Sequence, residues 1–335
     1  EVAFTQVPVE DTTRIVAPSR PSVLRTTASG ETGAQVDQVQ DSDASFALGD
    51  AHFDPRTGDL DLAGPQLRLF RAPTENDSLG DFGSYILADP AETTGSGTQA
   101  PPTAALWREL GIDKLERRVI GVWLDEHEVR AVHRYSTPAG RAYVDLDITW
   151  RLEDAAGGAK GGASRVLRLY ADAAPSANWE YVWGRLGLEF TAPLGAGEAS
   201  WFGSGPLENY VDSCRAARIG RFSMPVSDLN VEYAVPQESG YRPGLRELQL
   251  SGFGLTVRAD AVGPHRERPG FQVREHSIEQ ITKARHPHEL GTPERTHLIF
   301  DVAQHGLGSR SCGPDVRPEY QLRPRSGSWS LAFEV

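Results

Sequence analysis

Apolar and polar residues alternate with a period of two along much of this chain. In residues 143–151, four apolar side chains from Val144 to Trp150 alternate with Asp, Thr and Arg, and residues 328–335 repeat the pattern. Successive side chains of a β-strand point to opposite faces of its sheet, so each segment predicts a strand with one apolar face. We expect the strand at residues 328–335 to be half-buried.

Further segments have the composition of strands, and Gly- and Pro-rich turns separate them. They are residues 129–135, 165–170, 187–191, 247–250, 255–258 and 296–302. Only two segments predict helices. Residues 103–110 begin with Thr103 as the expected N-cap type and stop at Gly111, and residues 278–284 form a second short candidate. Ten or more strands against two short helices predict an all-β fold, an antiparallel sandwich with the helices in connections.

The beginning of the chain and one internal segment do not fit this pattern. Residues 2–9 indicate a strand, followed by Pro18, Pro21 and a spacer that contains Gly and Ser. A lone strand cannot bury its own apolar face, so it joins the main sandwich or ends a preceding domain. Residues 83–102 are rich in small and turn-forming residues, and loops of this length are usually functional or mobile.

Charge and composition narrow the partners. The formal net charge is −12, and no basic run is longer than the adjacent Arg117 and Arg118, which disfavours nucleic acid and anionic membranes as partners. No apolar stretch approaches the roughly 18 residues of a membrane-spanning helix, and the first ten residues do not resemble a signal sequence. Cys214 and Cys312 give no disulfide framework, which favours a reducing, cytoplasmic location.

Carboxylates in the turn-rich motifs are the first candidates for catalysis. They are Glu75, Asp77, Glu208, Asp212 and Glu238. Retaining glycoside hydrolysis needs two carboxyl groups about 5–5.5 Å apart, and no spacing here pairs any two of them. Beside Gly and Pro, such side chains more often accept backbone N–H bonds or pair with arginine. Arg71, Arg215 and Arg218 are the plausible partners.

Imidazole, thiol and amide groups give weaker signals. His286 and His288 could point toward one metal ion, but a third ligand at recognisable spacing is missing, so structural hydrogen bonding is favoured. Cys312 and His305 could form a thiol–imidazole pair, although seven residues of irregular loop do not define its geometry. Asn76 begins a formal glycosylation acceptor, for which a polar turn is the better interpretation.

Several long motifs, preserved in order, carry a resemblance to a known family. They are LFRAPTEND (69–77), WFGSGPLENY (201–210), ARIGRF (217–222), PQESGYR (236–242), ARHPHEL (284–290), GLG (306–308), CGPDV (312–316) and PEY (318–320). From about residue 30 onward, the chain resembles the C-terminal domain, or small chain, of glycoside hydrolase family 2 β-galactosidases. The resemblance implies a large antiparallel supersandwich similar to galactose mutarotase over residues 29–335. Residues 1–28 then look like the end of a preceding immunoglobulin-like domain plus a linker.

The resemblance also implies a division of labour. In the family, the catalytic glutamates and the magnesium ligands lie on a (β/α)₈ barrel upstream, so no catalytic residue, metal ligand or cofactor is expected in this chain. The complete enzyme is expected to use magnesium, with sodium as a second candidate, and to hydrolyse terminal β-D-galactosides such as lactose. The expected partners are the substrate, the barrel portion or large subunit, and further copies in a homo-oligomer.

Cys312 is the residue that the resemblance places at the substrate site. A family tryptophan on this loop commonly forms an apolar wall for the sugar, because an indole stacks well on C–H faces. The order of the flanking motifs puts Cys312 at that position. A thiol cannot supply the same stacking area, so we expect altered aglycone preference or weaker positioning rather than loss of hydrolysis. Residues 80–102 are expected to line or gate the same pocket.

Two functions of other classes stay open at this point. An aldose 1-epimerase would share the fold and need a His and a Glu across a sugar pocket, but the motifs of that family are missing. A lectin-like module would use tryptophans as stacking platforms, although a buried core position is the better default for most of them. The candidates are Trp107, Trp123, Trp179, Trp183 and Trp201.

Overall fold

The computed structural model of this chain describes residues 45–79, 101–154, 165–263 and 266–334. All of them belong to one unit, Ala44–Val335. The strand expected at residues 2–9, the domain end expected at residues 1–28 and almost all of the loop expected at residues 80–102 lie outside the described residues.

Fifteen strands form within the described ranges, and every pairing between them is antiparallel. The strands are β1 (Phe46–Leu48), β2 (Ala51–Phe53), β3 (Gln66–Arg68), β4 (Glu116–Asp125), β5 (Glu128–Ser136), β6 (Tyr143–Asp154), β7 (Arg165–Pro175), β8 (Arg185–Pro193), β9 (Glu198–Gly205), β10 (Arg218–Pro225), β11 (Glu247–Leu250), β12 (Leu255–Ala259), β13 (Gly270–Arg274), β14 (Arg295–Gln304) and β15 (Gly327–Glu334). One sheet has the order β10-β9-β11-β12-β15-β7-β6-β5-β4, another has the order β13-β14-β8-β3, and β1 pairs with β2.

The nine-stranded and four-stranded sheets share one apolar core. The ring of Trp150 in β6 lies 6.3 Å from that of Phe190 in β8, and Phe333 in β15 lies 6.4 Å from Phe300 in β14. The apolar set predicted for β6, from Val144 to Trp150, has no exposed surface. Edge-to-face aromatic contacts of this kind stabilise a sandwich core beyond the area that they bury. The predicted all-β antiparallel sandwich is confirmed.

Each strand that the alternation predicted is present, but the last one is more deeply buried than expected. Ser330 and Ala332, on the face predicted to be exposed, are buried as well as Leu331. β15 lies inside the nine-stranded sheet, paired with both β12 and β7, and the hydroxyl of Ser330 donates to the Asp260 carboxylate. The prediction of a half-buried strand is therefore wrong, because Arg168 of β7 and Asp260 bond and cover the Ser330 hydroxyl, and these neighbours are not visible in a local pattern.

The described ranges contain three short helices rather than the predicted two: α1 (Glu75–Ser78), α2 (Thr103–Leu110) and α3 (Ile278–Lys283). The sequence prediction missed α1 because four residues are too few to show a helical period. A capping box forms at its N-terminus: the hydroxyl of Thr74 accepts the Asp77 N–H, and the Asp77 carboxylate accepts the Thr74 N–H.

The two predicted helices are found with small differences at their ends. α2 ends where Gly111 adopts φ +79°, a left-handed conformation that glycine reaches without strain. Its N-cap is Pro102 rather than Thr103, which is the first helical residue. Ser277 is the N-cap of α3 and forms a capping box with Gln280. No helix in the described part of the chain is long and apolar enough to cross a bilayer.

Candidate functional site

The candidate site is the outer face of the four-stranded sheet and the loops that cover it. Along β8, Leu188 faces the core between the sheets, while Arg185 and Glu189 point to the opposite face. Polar side chains of β13 and β14 lie on the same face and are buried rather than solvated. Together they form what we call the polar layer: Arg185, Glu189, Gln272, Arg274, His297 and Asp301.

The side chain of Glu238, in the PQESGYR loop, lies at the centre of the polar layer. Its carboxylate lies 3.4 Å from a guanidinium nitrogen of Arg185 and of Arg274, and it accepts hydrogen bonds from Gln272 and Gln304. Burial raises the pKa of this carboxyl group, but the guanidiniums, Arg185 foremost, outweigh burial and hold the pKa below its usual range. The charged Glu238 carboxylate thus binds its loop to the sheet.

Asp301 shares the Arg185 guanidinium with Glu238. An oxygen of Asp301 lies 3.0 Å from Arg185 and accepts a hydrogen bond of 2.9 Å from Gln304. Burial raises the pKa of Asp301 despite the attraction of Arg185. Both carboxylates have no exposed surface, so a sugar cannot reach them. Two acids in one network are therefore not an acid/base pair for glycoside hydrolysis.

A second buried ion pair lies within the LFRAPTEND motif, and its arginine also binds the GLG motif. A guanidinium nitrogen of Arg71 lies 3.0 Å from each carboxylate oxygen of Asp77, and the Arg71 side chain is fully buried. The same guanidinium donates to the carbonyls of His305 and Gly306, the latter at 2.9 Å. The expectation that Asp77 pairs with an arginine, and that Arg71 is a partner, is confirmed.

Asp212 and Glu208 serve as acceptors for other loops. The Asp212 carboxylate accepts the N–H groups of Leu307 at 2.9 Å and Gly308 at 2.8 Å. Glu208 accepts the hydroxyl of Tyr233 at 2.8 Å and the N–H of Gly240. Four of the five candidate carboxylates are therefore structural acceptors, as their turn-rich surroundings indicated.

The remaining members of that prediction take other positions. Glu75 is exposed in α1, and its backbone N–H donates to the side chain of Gln237 at 3.1 Å. Arg215 is exposed, and the exposed Arg218 has its guanidinium 6.0 Å from the ring centre of Phe222. Among the three proposed arginines, Arg71 is the one whose ion pair with a candidate carboxylate is described above.

Residues 306–316 form the loop that carries Cys312. The N–H and hydroxyl of Ser309 both donate to the Pro314 carbonyl, at 3.0 and 2.8 Å, and the Cys312 N–H donates to the Ser309 carbonyl at 2.9 Å. Gly308 has φ +62°, and a Cβ there would come within 2.9 Å of the Val316 nitrogen, so this turn requires glycine. Cys312 is exposed with a free thiol. Its contact with substrate stays a prediction.

The other histidine and cysteine candidates are not assembled into a site. The His286 and His288 rings stack 5.6 Å apart and are exposed, and no group of three or more His, Cys, Asp or Glu side chains in the described residues could hold a metal ion. His305 is fully buried, and its Nδ1 accepts the Leu322 N–H at 3.0 Å. Burial, with the nearby Arg71 charge, lowers the pKa of His305. The buried His305 imidazole therefore cannot pair with the exposed Cys312 thiol.

Most of the tryptophans belong to the core, as their default interpretation predicted. Trp107, Trp183 and Trp201 are buried, and Trp179 packs edge-to-face on Trp183 at 5.1 Å. Trp123 is exposed on β4, with the Arg130 guanidinium 5.1 Å from its ring centre. A row of free stacking platforms, which a lectin would need, is not found in the described ranges.

The sequence did not reveal the exposed apolar side chains near the Cys312 loop. Residues 75–79, 206–212 and 230–240 are joined to each other or to residues 306–316 by hydrogen bonds. These segments carry five exposed apolar side chains, which we call the apolar rim: Leu79, Leu207, Val211, Val231 and Val235. Leu207 is 69% exposed. Isolated Leu and Val residues in loops give no pattern from which their exposure could be predicted.

Comparison with known proteins identifies relatives of this chain. A family model described as the β-galactosidase small chain matches residues 50–335. A β-galactosidase of Arthrobacter sp. (strain B7) is 38% identical over 301 residues, which cover 87% of this chain and 28% of that protein. A β-galactosidase of Aeromonas hydrophila subsp. hydrophila is 30% identical over 270 residues, which cover 79% of this chain and 23% of that protein. The chain spans about a quarter of the length of these relatives.

Two solved structures are matched at low similarity. A GalM/aldose epimerase homologue from C. elegans has a TM-score of 0.37 and 11% identity over 84% of this chain and 86% of that chain. A galactose mutarotase related enzyme from Lactobacillus acidophilus has a TM-score of 0.38 and 6% identity over 87% of this chain and 96% of that chain. At these scores, the architecture is established by the sheets described above.

Proposed function

The chain belongs to the β-galactosidase small-chain family, and on that basis we propose that it is the non-catalytic portion of a glycoside hydrolase family 2 β-galactosidase. In this proposal, the complete enzyme hydrolyses terminal non-reducing β-D-galactosides such as lactose. The two catalytic glutamates lie on a (β/α)₈ barrel outside this chain. The sandwich stabilises the enzyme and brings the Cys312 loop to the edge of the substrate pocket.

The use of the motif carboxylates supports this division of labour and is the observation that carries the proposal. Asp77 and Glu238 are buried in arginine pairs, and Asp212 and Glu208 accept hydrogen bonds from neighbouring loops. A retaining hydrolase needs one free nucleophile and one acid that can reach the glycosidic oxygen. Side chains that hold loops in place cannot take those roles. Of the five candidates this leaves Glu75, and one carboxyl group cannot serve as both acid and nucleophile, so both roles are assigned to another part of the enzyme.

The apolar rim supports contact between this loop end and the rest of the enzyme. Leu207 and Val211 are exposed within a segment that Asp212 and Glu208 fix in place. Apolar side chains exposed on segments that hydrogen bonds join together fit a surface that another part of the enzyme covers. Since the chain spans about a quarter of its relatives, we assign the remaining portion, the barrel or large subunit, as the partner.

The proposals for the cofactor, the oligomeric state and the cellular compartment rest on the family. Magnesium, with sodium as a second candidate, is assigned to the complete enzyme on the basis of the family. The enzyme is proposed to be a homo-oligomer. A reducing, cytoplasmic location accords with Cys214 and Cys312, both of which are free and exposed.

The pocket role is tested by restoring the tryptophan in the full-length enzyme. With Cys312→Trp we expect KM for aryl β-galactosides to change by about fivefold or more, because an indole adds a stacking face worth about 1 kcal/mol. Ala139→Trp is the control, since Ala139 is also exposed but lies in the turn between β5 and β6. Unchanged kinetics of the Cys312 variant on both lactose and aryl galactosides would disprove the pocket role.

The non-catalytic role is tested on the isolated chain. We expect no hydrolysis of lactose or an aryl β-galactoside, no heat of galactose binding by calorimetry and no change in the optical rotation of α-galactose beyond the spontaneous rate. Measurable galactose affinity would favour the lectin-like module, and accelerated mutarotation would favour the aldose 1-epimerase.

A further inference from the structure

The side chain of Asn76 holds the backbone of the Cys312 loop at two points. Its Nδ2 donates to the Gly308 carbonyl at 2.9 Å, and its Oδ1 accepts the Ser311 N–H at 2.9 Å. One amide thus bridges a carbonyl and an N–H three residues apart, in the way that a paired peptide group would. The second of these contacts is made by the residue immediately before Cys312.

The element that carries Asn76 is itself fixed. Asn76 lies in α1, whose N-cap Thr74 forms a capping box with Asp77. Asp77 is buried in the ion pair with Arg71, whose guanidinium also binds the carbonyls of His305 and Gly306. Asn76 therefore presents its amide from a rigid support that is already tied to the base of the same loop.

Other contacts hold the base and flank of the loop. The Asp212 carboxylate binds the Leu307 and Gly308 N–H groups, and the Arg310 guanidinium donates to the Pro101 carbonyl at 3.2 Å. These contacts leave the Ser311 N–H to Asn76. The Ser311 N–H belongs to the peptide group between Arg310 and Ser311, so rotation of that group changes the φ angle of Ser311 and the direction of the chain at Cys312.

We propose that Asn76 is a positioning residue: it holds residues 308–311 so that the side chain of residue 312 faces the aglycone of a bound galactoside. This inference rests on the proposed function, and it adds the group that sets the aglycone-facing position of the loop. An asparagine suits this role because it offers one donor and one acceptor at a fixed separation. An aspartate at this position would place an anionic oxygen against the Gly308 carbonyl.

The position of the loop is measured in the full-length enzyme through the thiols. Cys312 and Cys214 are both free and exposed, so their alkylation rates by a small maleimide can be compared by peptide mass spectrometry. With Asn76→Asp, we expect the Cys312 rate to change by about fivefold or more, the factor for one lost hydrogen bond, while the Cys214 rate stays constant. Asn76→Ala, which adds no charge, is expected to act in the same direction.

Asn178→Asp is the matched control, because its amide also donates to a backbone carbonyl, that of Arg141 at 3.3 Å, in a different part of the chain. It should leave both thiol rates unchanged. If Asn76 only stabilised the fold, its variants would alter both cysteines together. Equal changes at Cys312 and Cys214, or no change at either, would therefore overturn the inference.

Kinetics separate this inference from the proposed function. In Asn76→Asp we expect KM for an aryl β-galactoside to rise about fivefold, with kcat within about twofold, because the loop positions the aglycone and does not take part in proton transfer. If Cys312→Trp changes KM but Asn76→Asp leaves the Cys312 rate unchanged, the positioning role fails and the pocket role stands. If the Cys312 rate shifts selectively but neither variant changes KM, Asn76 holds the loop and the loop has no role at the pocket.

Discussion

Leu188 and Glu189 are neighbours on β8, and they belong to two different kinds of interior. Leu188 lies in the apolar core between the sheets, and Glu189 lies in the polar layer beneath the loops, where it contacts His297 and Arg68. Both side chains are almost fully buried. The same strand therefore supports an interior that depends on shape and another that depends on paired charges.

The two interiors are expected to lose stability in different ways when a residue is substituted. In the apolar core, a substitution that keeps volume keeps most of the contacts, because dispersion and burial are not directional. In the polar layer, removal of one partner leaves another charge buried and unpaired, which costs more than the lost contact itself. We therefore expect conservative changes to be tolerated on one face of β8 and not on the other.

The largest effect is expected from Arg185→Met. Arg185 is fully buried and pairs with both Asp301 and Glu238, so its loss leaves two carboxylates without their main counter-ion. We expect the free energy of unfolding to fall by about 3–5 kcal/mol in urea denaturation. Arg130→Met is the control: Arg130 pairs with Asp147 at the surface, and its loss should cost less than about 1 kcal/mol. Equal costs would remove the distinction between buried and exposed pairs.

A somewhat smaller effect is expected from the titration of Glu189. Burial alone would raise its pKa, but His297 and then Arg68 outweigh burial, and the pKa falls to about 2 from a usual value of 4.5. A carboxyl group whose pKa is depressed by folding stabilises the protein above its unfolded pKa. This stabilisation, about 3 kcal/mol, is lost as the pH falls from about 4.5 toward 2.

Glu189→Gln isolates this contribution. Because all other carboxyl groups titrate in both proteins, the difference in unfolding free energy between wild type and variant should shrink as the pH falls from 5 to 3. Urea denaturation at several pH values measures this difference. A difference that stays constant over this range would show that the charge of Glu189 does not stabilise the fold.

The smallest effect is expected from Leu188→Met, one residue away on the opposite face. Methionine has nearly the volume of leucine and a flexible side chain, so the core can accommodate it at a cost below about 1.5 kcal/mol. The shift in the urea midpoint provides the measurement. A cost as large as that of Glu189→Gln at neutral pH would mean that the apolar core is no more tolerant than the polar layer.

The sequence was informative where structure follows from local pattern. The alternation from Val144 to Trp150 predicted both the strand and its buried face, and Gly111 predicted the end of α2. The two-residue period reports which side chains share a face, but not whether a polar face is solvated. For that reason, Arg185 and Glu189 were not recognised as interior residues.

The candidate site was predicted less completely. Four of the five carboxylates in the turn-rich motifs, all but Glu75, were correctly interpreted as structural acceptors, and Arg71 was correctly named as a partner. The partners of Glu238 were not predicted, because Arg185 lies 53 positions away in the sequence and comes from a different element. The position of Cys312 near a substrate came from the resemblance to a family rather than from any property of the loop residues.

What the sequence by itself determined is eight of the fifteen strands in the described ranges, the buried face of β6 and the family, because these depend on local spacing and on motifs kept in order. The other seven strands are short or lack a clear alternation of apolar and polar residues, so no local pattern predicted them. The tertiary structure alone decided that the polar face of β8 is covered, that Asp301 meets Arg185 across 116 positions, and that Asn76 reaches Ser311 across 235. The physical reason is that charge pairing and loop position depend on which strands become neighbours. That order is a property of the whole sheet.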